Sequence, residues 1–330
     1  MHCRSIIGVL ITGACAMCFS MVTFAEEHYP SRSVRVIVPF PAGNAVDLVA
    51  RISADALADK YKQAFVVDNR PGAKGLIGIR YAHDQSPDGY TLVGGGLGNV
   101  LPVATLRNLP IDITKALIPV AQVAEFANVI LVRANSPFNT MQDVIDYIKT
   151  QPKGHVTVGA GDIGSSAHMA AALLEDRIGL AITTVPYRAQ NEIVVNLIGE
   201  TLDIGISSVP ASLTMIRSGR VKALAITGKS RSKHLPAVPT MEESGIRNYN
   251  VTSWLGLYAI EGTPPNIVKQ IGADLAQALK ADNYQLKIES AGLDMNVLGP
   301  EAFTEVNRSE VQRWTQFAEQ IGAVTNYASK

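Results

Sequence analysis

Short apolar runs alternate with amphipathic stretches along most of the chain, which has 330 residues. Such runs are typical of buried strands, and apolar residues spaced three or four positions apart are typical of helices. The predicted strands are 33–40, 65–68, 91–96, 130–133, 157–161, 182–187, 203–207 and 223–227. The predicted helices lie within 46–57, 169–178, 264–279 and 300–321. Because strands and helices alternate, the sequence predicts an α/β fold with parallel sheets covered by helices.

Two further strand-like segments, 120–129 and 249–260, are predicted to cross between two lobes. A chain that crosses twice builds one lobe from both of its ends and the other from its middle. The predicted division is therefore 26–127 with 250–330 for lobe 1, and 128–249 for lobe 2. Such an arrangement leaves a cleft between the lobes, where ligands usually bind.

The first 25 residues have a different character. His2 and Arg4 form a short basic start, residues 5–24 are apolar or small, and Thr23-Phe24-Ala25 fits a small-x-small cleavage site. A membrane anchor is the alternative, since about 20 apolar residues can span a bilayer. No stop-transfer flank follows, which favours a cleaved signal peptide over residues 1–25. An exported protein is thus predicted, which in a bacterium means a periplasmic one.

Cysteine usage and charge exclude several kinds of protein. Cys3, Cys15 and Cys18 are the three cysteines of the chain, and all precede the predicted cleavage site. The mature protein is therefore predicted to have no disulfide, no thiolate nucleophile and no cysteine zinc site. The formal net charge is zero and 47 % of residues are hydrophobic, which argues against a disordered chain and against a nucleic-acid partner.

The segment 155–179 reads as a strand, a glycine turn and a helix. Gly159, Gly161 and Gly164 fit the pattern G-x-G-x-x-G. A dinucleotide site would need an acidic residue at the end of the next strand, about 20 residues further on. That strand ends in Pro186-Tyr187-Arg188 instead, so the nicotinamide interpretation is rejected. The turn remains suited to another anion, because its N–H groups and the helix dipole both favour negative charge.

The polar residues after this turn have alternative roles. Ser165 and Ser166 are predicted to cap the helix, to donate to a ligand, or to do both. His168 is predicted to pack or cap locally rather than to act as a catalytic base. Arg188 is either a cation for a carboxylate or a solvated surface side chain.

Two more strand ends have the same character. The turn 39–47 contains two prolines and Gly43, and the run 94–99 contains Gly96 and ends in Asn99. Asp47 is predicted to be a first-turn helix acid, favoured by the dipole, rather than a general base. Neither a G-x-S-x-G elbow nor an H-E-x-x-H pair is present. The sequence therefore predicts no catalytic residue, no metal and no cofactor.

Several motifs, taken in order, make the chain resemble the periplasmic receptors of the tripartite tricarboxylate transporter family, often called Bug proteins. The motifs are YPSRSVRVIVPFPAG (29–43), VVDNRPGAKG (66–75), SPDGYTL (86–92), GDIGSSAHMAA (161–171), VPYR (185–188), RSGRVKALAIT (217–227), LPAVPTMEESG (235–245) and SWLGLYA (253–259). The resemblance implies a type II periplasmic-binding-protein fold, with two α/β lobes that close around a small carboxylate. It also implies that the carboxylate is held at the turn 41–47 and at 161–168.

The predicted ligand-binding residues come from these turns and from two strand ends. They are Pro41, Ala42, Gly43, Asn44, Ala45, Val46, Asp47, Gly96, Asn99, Gly161, Gly164, Ser165, Ser166, His168, Arg188, Ser207 and Ser208.

Two departures from the family pattern bear on the ligand. The family turn commonly reads Pro-Pro-Gly-Gly-Gly-Thr-Asp, whereas this chain has Asn44 and Val46 within it. Many relatives end a strand with Asp-Ser where this chain has Ser207-Ser208. A buried ammonium needs an acceptor, so the loss of that Asp predicts an anionic ligand without an ammonium group, with an apolar or aromatic body and one or two carboxylates.

The predicted function is that of a monomeric receptor that passes a small carboxylate to the membrane subunits of a tripartite tricarboxylate transporter. A periplasmic component that presents its ligand to a signalling protein is the alternative. The absence of a nucleophile–base pair argues against a secreted enzyme on the same fold.

Overall fold

The computed structural model describes residues 29–327, so the predicted signal peptide 1–25 and its cysteines lie outside the described residues. The chain folds into alternating strands and helices, as its apolar pattern predicts. The strands are β1 (Val34–Val38), β2 (Phe65–Asn69), β3 (Thr91–Gly96), β4 (Leu106–Arg107), β5 (Leu117–Arg133), β6 (Thr157–Gly161), β7 (Thr183–Tyr187), β8 (Ile204–Ser208), β9 (Val221–Ile226), β10 (Thr252–Ile260), β11 (Asp294–Leu298) and β12 (Thr325–Asn326). The helices are α1 (Ala45–Tyr61), α2 (Leu76–His83), α3 (Leu97–Thr105), α4 (Ile113–Ala116), α5 (Met141–Thr150), α6 (Ser166–Ile178), α7 (Gln190–Ile198), α8 (Val209–Arg217), α9 (Pro265–Ala278), α10 (Asp282–Ser290) and α11 (Pro300–Gln320).

One strand, β5, runs through the whole molecule. Its residues 117–127 pair with β10, and β11 also pairs within this part of β5. Its residues 128–133 pair with β8 and β9. We call the strands β1, β2, β3, β10 and β11 the first sheet half, and β6, β7, β8 and β9 the second sheet half. The lobe boundaries at 127/128 and 249/250 stay a prediction.

Each sheet half has a parallel core. In the first, β1 lies between β2 and β3, and in the second, β6 lies between β7 and β8. The last residue of β8, Ser208, lies opposite Asn128 on β5, and the last residue of β3, Gly96, lies opposite Leu255 on β10. The carboxyl ends of the parallel strands in both halves therefore lie near the point where β5 passes from one half to the other.

Helices cover both faces of the sheet. In the first half, Val49 of α1 and Ile271 of α9 belong to one buried cluster with β3 and β10, while Trp314 of α11 lies in another. In the second half, Leu174 of α6 and Leu197 of α7 pack on opposite sides. Each fully buried side chain of this size contributes about 1.5–3 kcal/mol to folding, so these stripes hold the helices to the sheet.

Most of the strand ends differ from the predicted ones by a few residues. The first predicted strand, 33–40, is shorter in the structure because Pro39 has no N–H to continue the ladder. The segments 120–129 and 130–133 join into the single strand β5, and the second crossing segment begins at Thr252 rather than at 249. The strand 157–161 was predicted correctly. Within residues 29–327, no helix is both long and apolar enough to cross a bilayer.

Candidate functional site

The loop before α1 is held by hydrogen bonds among its own residues. Asn44 is the N-cap, and its side-chain oxygen accepts a hydrogen bond from the Asp47 N–H at 2.9 Å. The Asp47 carboxylate in turn accepts from the Gly43 N–H at 2.8 Å, from Asn69 Nδ2 at 2.9 Å and from Arg51 Nε at 3.1 Å. Asp47 thus fastens the loop to the helix behind it and to the end of β2.

Asp47 is only 3 % exposed. Burial raises the pKa of its carboxyl, but the hydrogen bonds from Arg51, Gly43 and Asn69 outweigh burial and hold that pKa below its usual range. The side chain is therefore a charged acceptor whose lone pairs serve its own loop. This geometry agrees with the interpretation of Asp47 as a first-turn helix acid.

The same loop leaves part of a helix start open. The N–H of Asp47 donates to the Asn44 side chain, and the N–H of Gly43 donates to the Asp47 side chain. Within residues 29–327, the N–H groups of Ala45 and Val46 donate no hydrogen bond. Pro41, Ala42 and Gly43 are exposed around this start. Free N–H groups at the start of a 17-residue helix favour an anion, through their hydrogens and through the helix dipole.

Val46 lies at the edge of this loop and is half-buried. A methyl group placed on Gly94 of β3 would stand 3.7 Å from Val46 Cγ1. The side chain that replaces the hydroxyl of the family pattern therefore lies against the sheet.

At the end of β3, Gly96 and Asn99 form a pair. The Gly96 N–H donates to Asn99 Oδ1 at 2.8 Å. A side chain on Gly96 would stand 2.0 Å from the Trp254 carbonyl oxygen, so only glycine permits this close approach of β3 and β10. Asn99 is 2 % exposed, its Nδ2 has no partner within the described residues, and it lines a cavity of about 330 Å³ with Val100 and Tyr258. The structure thus places Asn99 inside the first sheet half, and its contact with a ligand stays a prediction.

The turn between β6 and α6 is the counterpart of the first loop in the second sheet half. Ser165 is the N-cap of α6, and its Oγ accepts a hydrogen bond from the His168 N–H at 3.2 Å. A side chain on Gly161 would stand 2.5 Å from this Oγ, which explains the glycine. The predicted capping role of Ser165 is confirmed, and Ser166 follows as the first residue of the helix.

His168 is half-buried on the first turns of α6. Its Nδ1 is buried and has no hydrogen-bond partner within residues 29–327. Burial lowers the pKa of the imidazole, and the nearby Lys74 ammonium lowers it further, against the opposing effect of Asp162. The neutral ring therefore dominates at neutral pH and brings no positive charge to the turn.

The two loops belong to one region. Phe40 lies before the first loop, and its ring would be 3.6 Å from a methyl group on Gly75 and 3.2 Å from one on Gly98. Lys74, next to Gly75, extends to the second sheet half, where its Nζ would stand 4.0 Å from a methyl group on Gly164. The segment 72–75 therefore connects the loop before α1 with the turn before α6.

The end of β8 is buried around a side chain from α7. Ser207 has no exposed surface, and its Oγ lies 3.3 Å from Gln190 Oε1. The Ser208 N–H donates to the same Gln190 oxygen at 2.8 Å, and Ser208 Oγ caps α8 by accepting from the Ala211 N–H. Arg188, at the end of β7, is exposed and has no ion pair among the described residues. Ligand contacts by Ser207, Ser208 and Arg188 stay predictions.

Four residues in this region were not predicted from the sequence. Asn69 and Gln190 hold strand ends; Asn69 lies within the motif 66–75 but was given no role there, and Gln190 lies outside the motifs. Lys74 interrupts a glycine-rich turn, which was a readable signal. Asn128 on β5 is fully buried, and both polar atoms of its side chain lack a partner within residues 29–327.

A second cavity, of about 290 Å³, lies beside the crossing strands. It is lined by parts of β5, β10 and β11 together with residues 228–232 and α11, and it includes none of the predicted ligand-binding residues. No group of three or more His, Cys, Asp or Glu side chains within 29–327 is arranged to hold a metal ion.

Comparison with known proteins places the chain in a family. Residues 49–323 match the family described as the tripartite tricarboxylate transporter family receptor. The chain belongs to this family. BugT of Bordetella pertussis is 32 % identical over 301 residues, which cover 91 % of this chain and 92 % of BugT. A protein of a Pseudomonas species (strain P51), from the UPF0065 group, is 31 % identical over 289 residues, which cover 87 % of this chain and 86 % of the relative.

Solved structures agree with the assignment. The periplasmic binding protein BugD has a TM-score of 0.77 at 28 % identity and covers 91 % of this chain and 100 % of its own. An R. palustris protein with adipate has a TM-score of 0.80 at 29 % identity, with coverage of 91 % and 100 %. MatC from Rhodopseudomonas palustris, with bound malate, has a TM-score of 0.76 at 27 % identity, with coverage of 88 % and 99 %. The predicted two-lobed periplasmic-binding fold is confirmed, and the protein is a solute-binding receptor rather than an enzyme.

Proposed function

We propose that this receptor captures a small organic carboxylate without an ammonium group in the periplasm and passes it to the membrane subunits of a tripartite tricarboxylate transporter. One observation carries the proposal: the segment 72–75 lies against Phe40, before the loop of α1, and reaches Gly164, before the start of α6, through Lys74. The start of each of these helices favours an anion, through its free N–H groups and through the helix dipole.

The ligands in two similar solved structures support the proposed ligand class. Related receptors hold adipate and malate, which are carboxylates without an ammonium group. The carboxylate at the start of α1, Asp47, has its acceptor capacity used by Gly43, Arg51 and Asn69, so it is not available to bind an ammonium.

Ligand capture is tested by native mass spectrometry of the purified protein, followed by a thermal-shift screen of mono- and dicarboxylates against their amino-acid analogues. A ligand that binds only the folded state raises the unfolding midpoint. A carboxylate that raises the midpoint in the micromolar range supports the proposal. A response confined to amino acids contradicts it.

Export and delivery need separate tests. Mass spectrometry of the protein recovered from the periplasm is expected to find an N-terminus at Glu26, and light scattering is expected to give the mass of a monomer. A pull-down from membranes is expected to retain transporter subunits. Retention of a sensor ectodomain instead would favour the signalling alternative.

A further inference from the structure

Lys74 lies in an unusual place on the backbone. It occupies the short 3₁₀ turn 73–75 between β2 and α2, with φ at 57°. This is the left-handed region, which glycine adopts freely and residues with a side chain rarely adopt. Backbone strain of this kind concentrates at ligand sites and switch regions, so the position of this lysine in a glycine-rich turn calls for an explanation.

The side chain of Lys74 is directed at the other sheet half. Its Nζ would stand 4.0 Å from a methyl group on Gly164, at the start of α6. The same ammonium acts on His168, so it lies close to the first turns of that helix. Lys74 is exposed, and it forms no hydrogen bond or ion pair through its side chain with any residue of 29–327. It is a cation at the rim of the proposed site that forms no ion pair with a carboxylate of residues 29–327.

Of the groups around Lys74, the start of α6 favours negative charge and Asp162 opposes it, as its effect on His168 shows. The start of the 13-residue helix α6 favours negative charge, and the ring of His168 is neutral at neutral pH. A carboxylate between Lys74 and α6 would accept charge-assisted hydrogen bonds from the ammonium and backbone N–H donors together. The start of α1, where the N–H groups of Ala45 and Val46 donate no hydrogen bond within residues 29–327, offers a second such place.

We propose that Lys74 is a specificity-determining residue, which binds the second carboxylate of a dianionic ligand and so favours dicarboxylates over monocarboxylates of equal length. This inference rests on the proposed function, since it assumes that a first carboxylate is held at the site. If Lys74 only joined the two sheet halves and did not contact the ligand, it would strengthen the binding of both ligand classes equally.

The test compares ligands that differ in one carboxylate. Adipate is paired with hexanoate, and malate with 3-hydroxybutyrate. The affinity of the unmodified protein for adipate is first compared with its affinity for malate, and the pair that contains the tighter-binding dicarboxylate is used in calorimetry. Lys74→Met is expected to weaken dicarboxylate binding by about tenfold, the size of one charge-assisted hydrogen bond. Monocarboxylate binding is expected to change by less than about twofold, and Lys74→Arg is expected to keep most of the preference.

The chain offers a matched control. Lys62 is also an exposed lysine with φ at 57°, and it caps the opposite end of α1. Lys62→Met is expected to leave the binding of both ligands unchanged. An equal loss of both ligands in Lys74→Met, or no loss of either, overturns the role of Lys74.

The failures of the two proposals are distinguishable. If the unmodified protein binds monocarboxylates as tightly as dicarboxylates of four to eight carbons, the Lys74 proposal fails and the carboxylate receptor stands. If it binds no carboxylate of either class, the proposed function itself fails.

Discussion

The carboxylate of Asp47 accepts a hydrogen bond from the backbone N–H of Gly43, four residues earlier, at 2.8 Å. An acid at the start of a helix therefore shapes the very loop that is proposed to receive an anion. Arg51, one turn further along α1, lies 3.0 Å from the same carboxylate and balances its charge. The carboxylate of Asp47 therefore supports the loop through these contacts and is not available to a ligand.

Asp47→Asn is expected to lower the free energy of unfolding by about 1–3 kcal/mol, because the buried hydrogen bonds to Arg51 and Gly43 are to a charged group. Denaturant unfolding at pH 7 measures this loss. Asp84→Asn, at a carboxylate that is 64 % exposed, is the control and is expected to have little effect. Equal stability of the two variants would contradict the structural role of Asp47.

The stabilising effect of Asp47 is expected to depend on pH. Its pKa in the folded protein lies below the ordinary value, so the stabilisation is fully present above about pH 4, the pKa of the unfolded chain. It is lost as the pH falls through the folded pKa. The difference in unfolding free energy between the unmodified protein and Asp47→Asn is therefore expected to shrink between pH 5 and pH 2. A constant difference would show that this carboxyl has no lowered pKa.

Replacing Ser165 and Ser166 together by Ala is expected to weaken carboxylate affinity by about 1–3 kcal/mol, because it removes hydroxyl groups that are proposed to bind the anion at the start of α6. It also removes a helix cap, which costs about 0.5–2 kcal/mol of stability. Calorimetry and thermal unfolding separate the two effects. Thr140→Ala removes the cap of α5 and is expected to lower stability alone. An unchanged affinity in a folded double variant would reduce the serines to capping residues.

Amino acids are expected to bind more weakly than the same acids without the amine, because no acidic side chain ends β8. Glutamate against glutarate, and phenylalanine against 3-phenylpropionate, test this in calorimetry. Ser207→Asp is expected to gain amino-acid binding and to lose stability, since Ser207 has no exposed surface and contacts the oxygen of Gln190. Asn has nearly the same shape as Asp without the charge, so Ser207→Asn is expected to gain no amino-acid binding. Tight amino-acid binding by the unmodified protein would refute the argument.

The two sheet halves are expected to approach each other on ligand binding, by bending where β5 and the segment that leads into β10 pass between them. A ligand that contacts both helix starts stabilises the closed arrangement. Small-angle scattering with saturating ligand is expected to show a smaller radius of gyration than without it. An unchanged profile, with saturation verified by calorimetry on the same sample, would exclude closure.

Much of the fold was predictable, because strand and helix periods are properties of neighbouring residues. The strand 157–161 and the helix within 264–279 were both predicted correctly, and Val268, Ile271 and Leu275 of α9 are buried together with Leu279 directly after it. The cap formed by Ser165 was also predictable, since a serine before an apolar helix satisfies a local N–H group.

The contacts that join distant segments were not predictable in the same way. Gln190 accepts a hydrogen bond from Ser208, 18 residues away, and Asn69 donates to Asp47, 22 residues away. Such pairs depend on how strands are ordered in the sheet, which periodicity does not encode. Likewise, nothing local in the sequence shows that Asn99 would point into a cavity of the first sheet half, or that Lys74 would reach Gly164.

The continuity of β5 has a consequence for how the molecule comes apart. This strand of 17 residues lies between β10 and β11 at one end and between β8 and β9 at the other. Neither half can be excised as an autonomous fragment, because cutting after Arg133 or before Leu117 would take the central strand away from one of them. A chain in which both halves share one backbone ladder is expected to lose its structure in a single cooperative transition, so the flexing that ligand capture requires is confined to small bends within an otherwise indivisible unit.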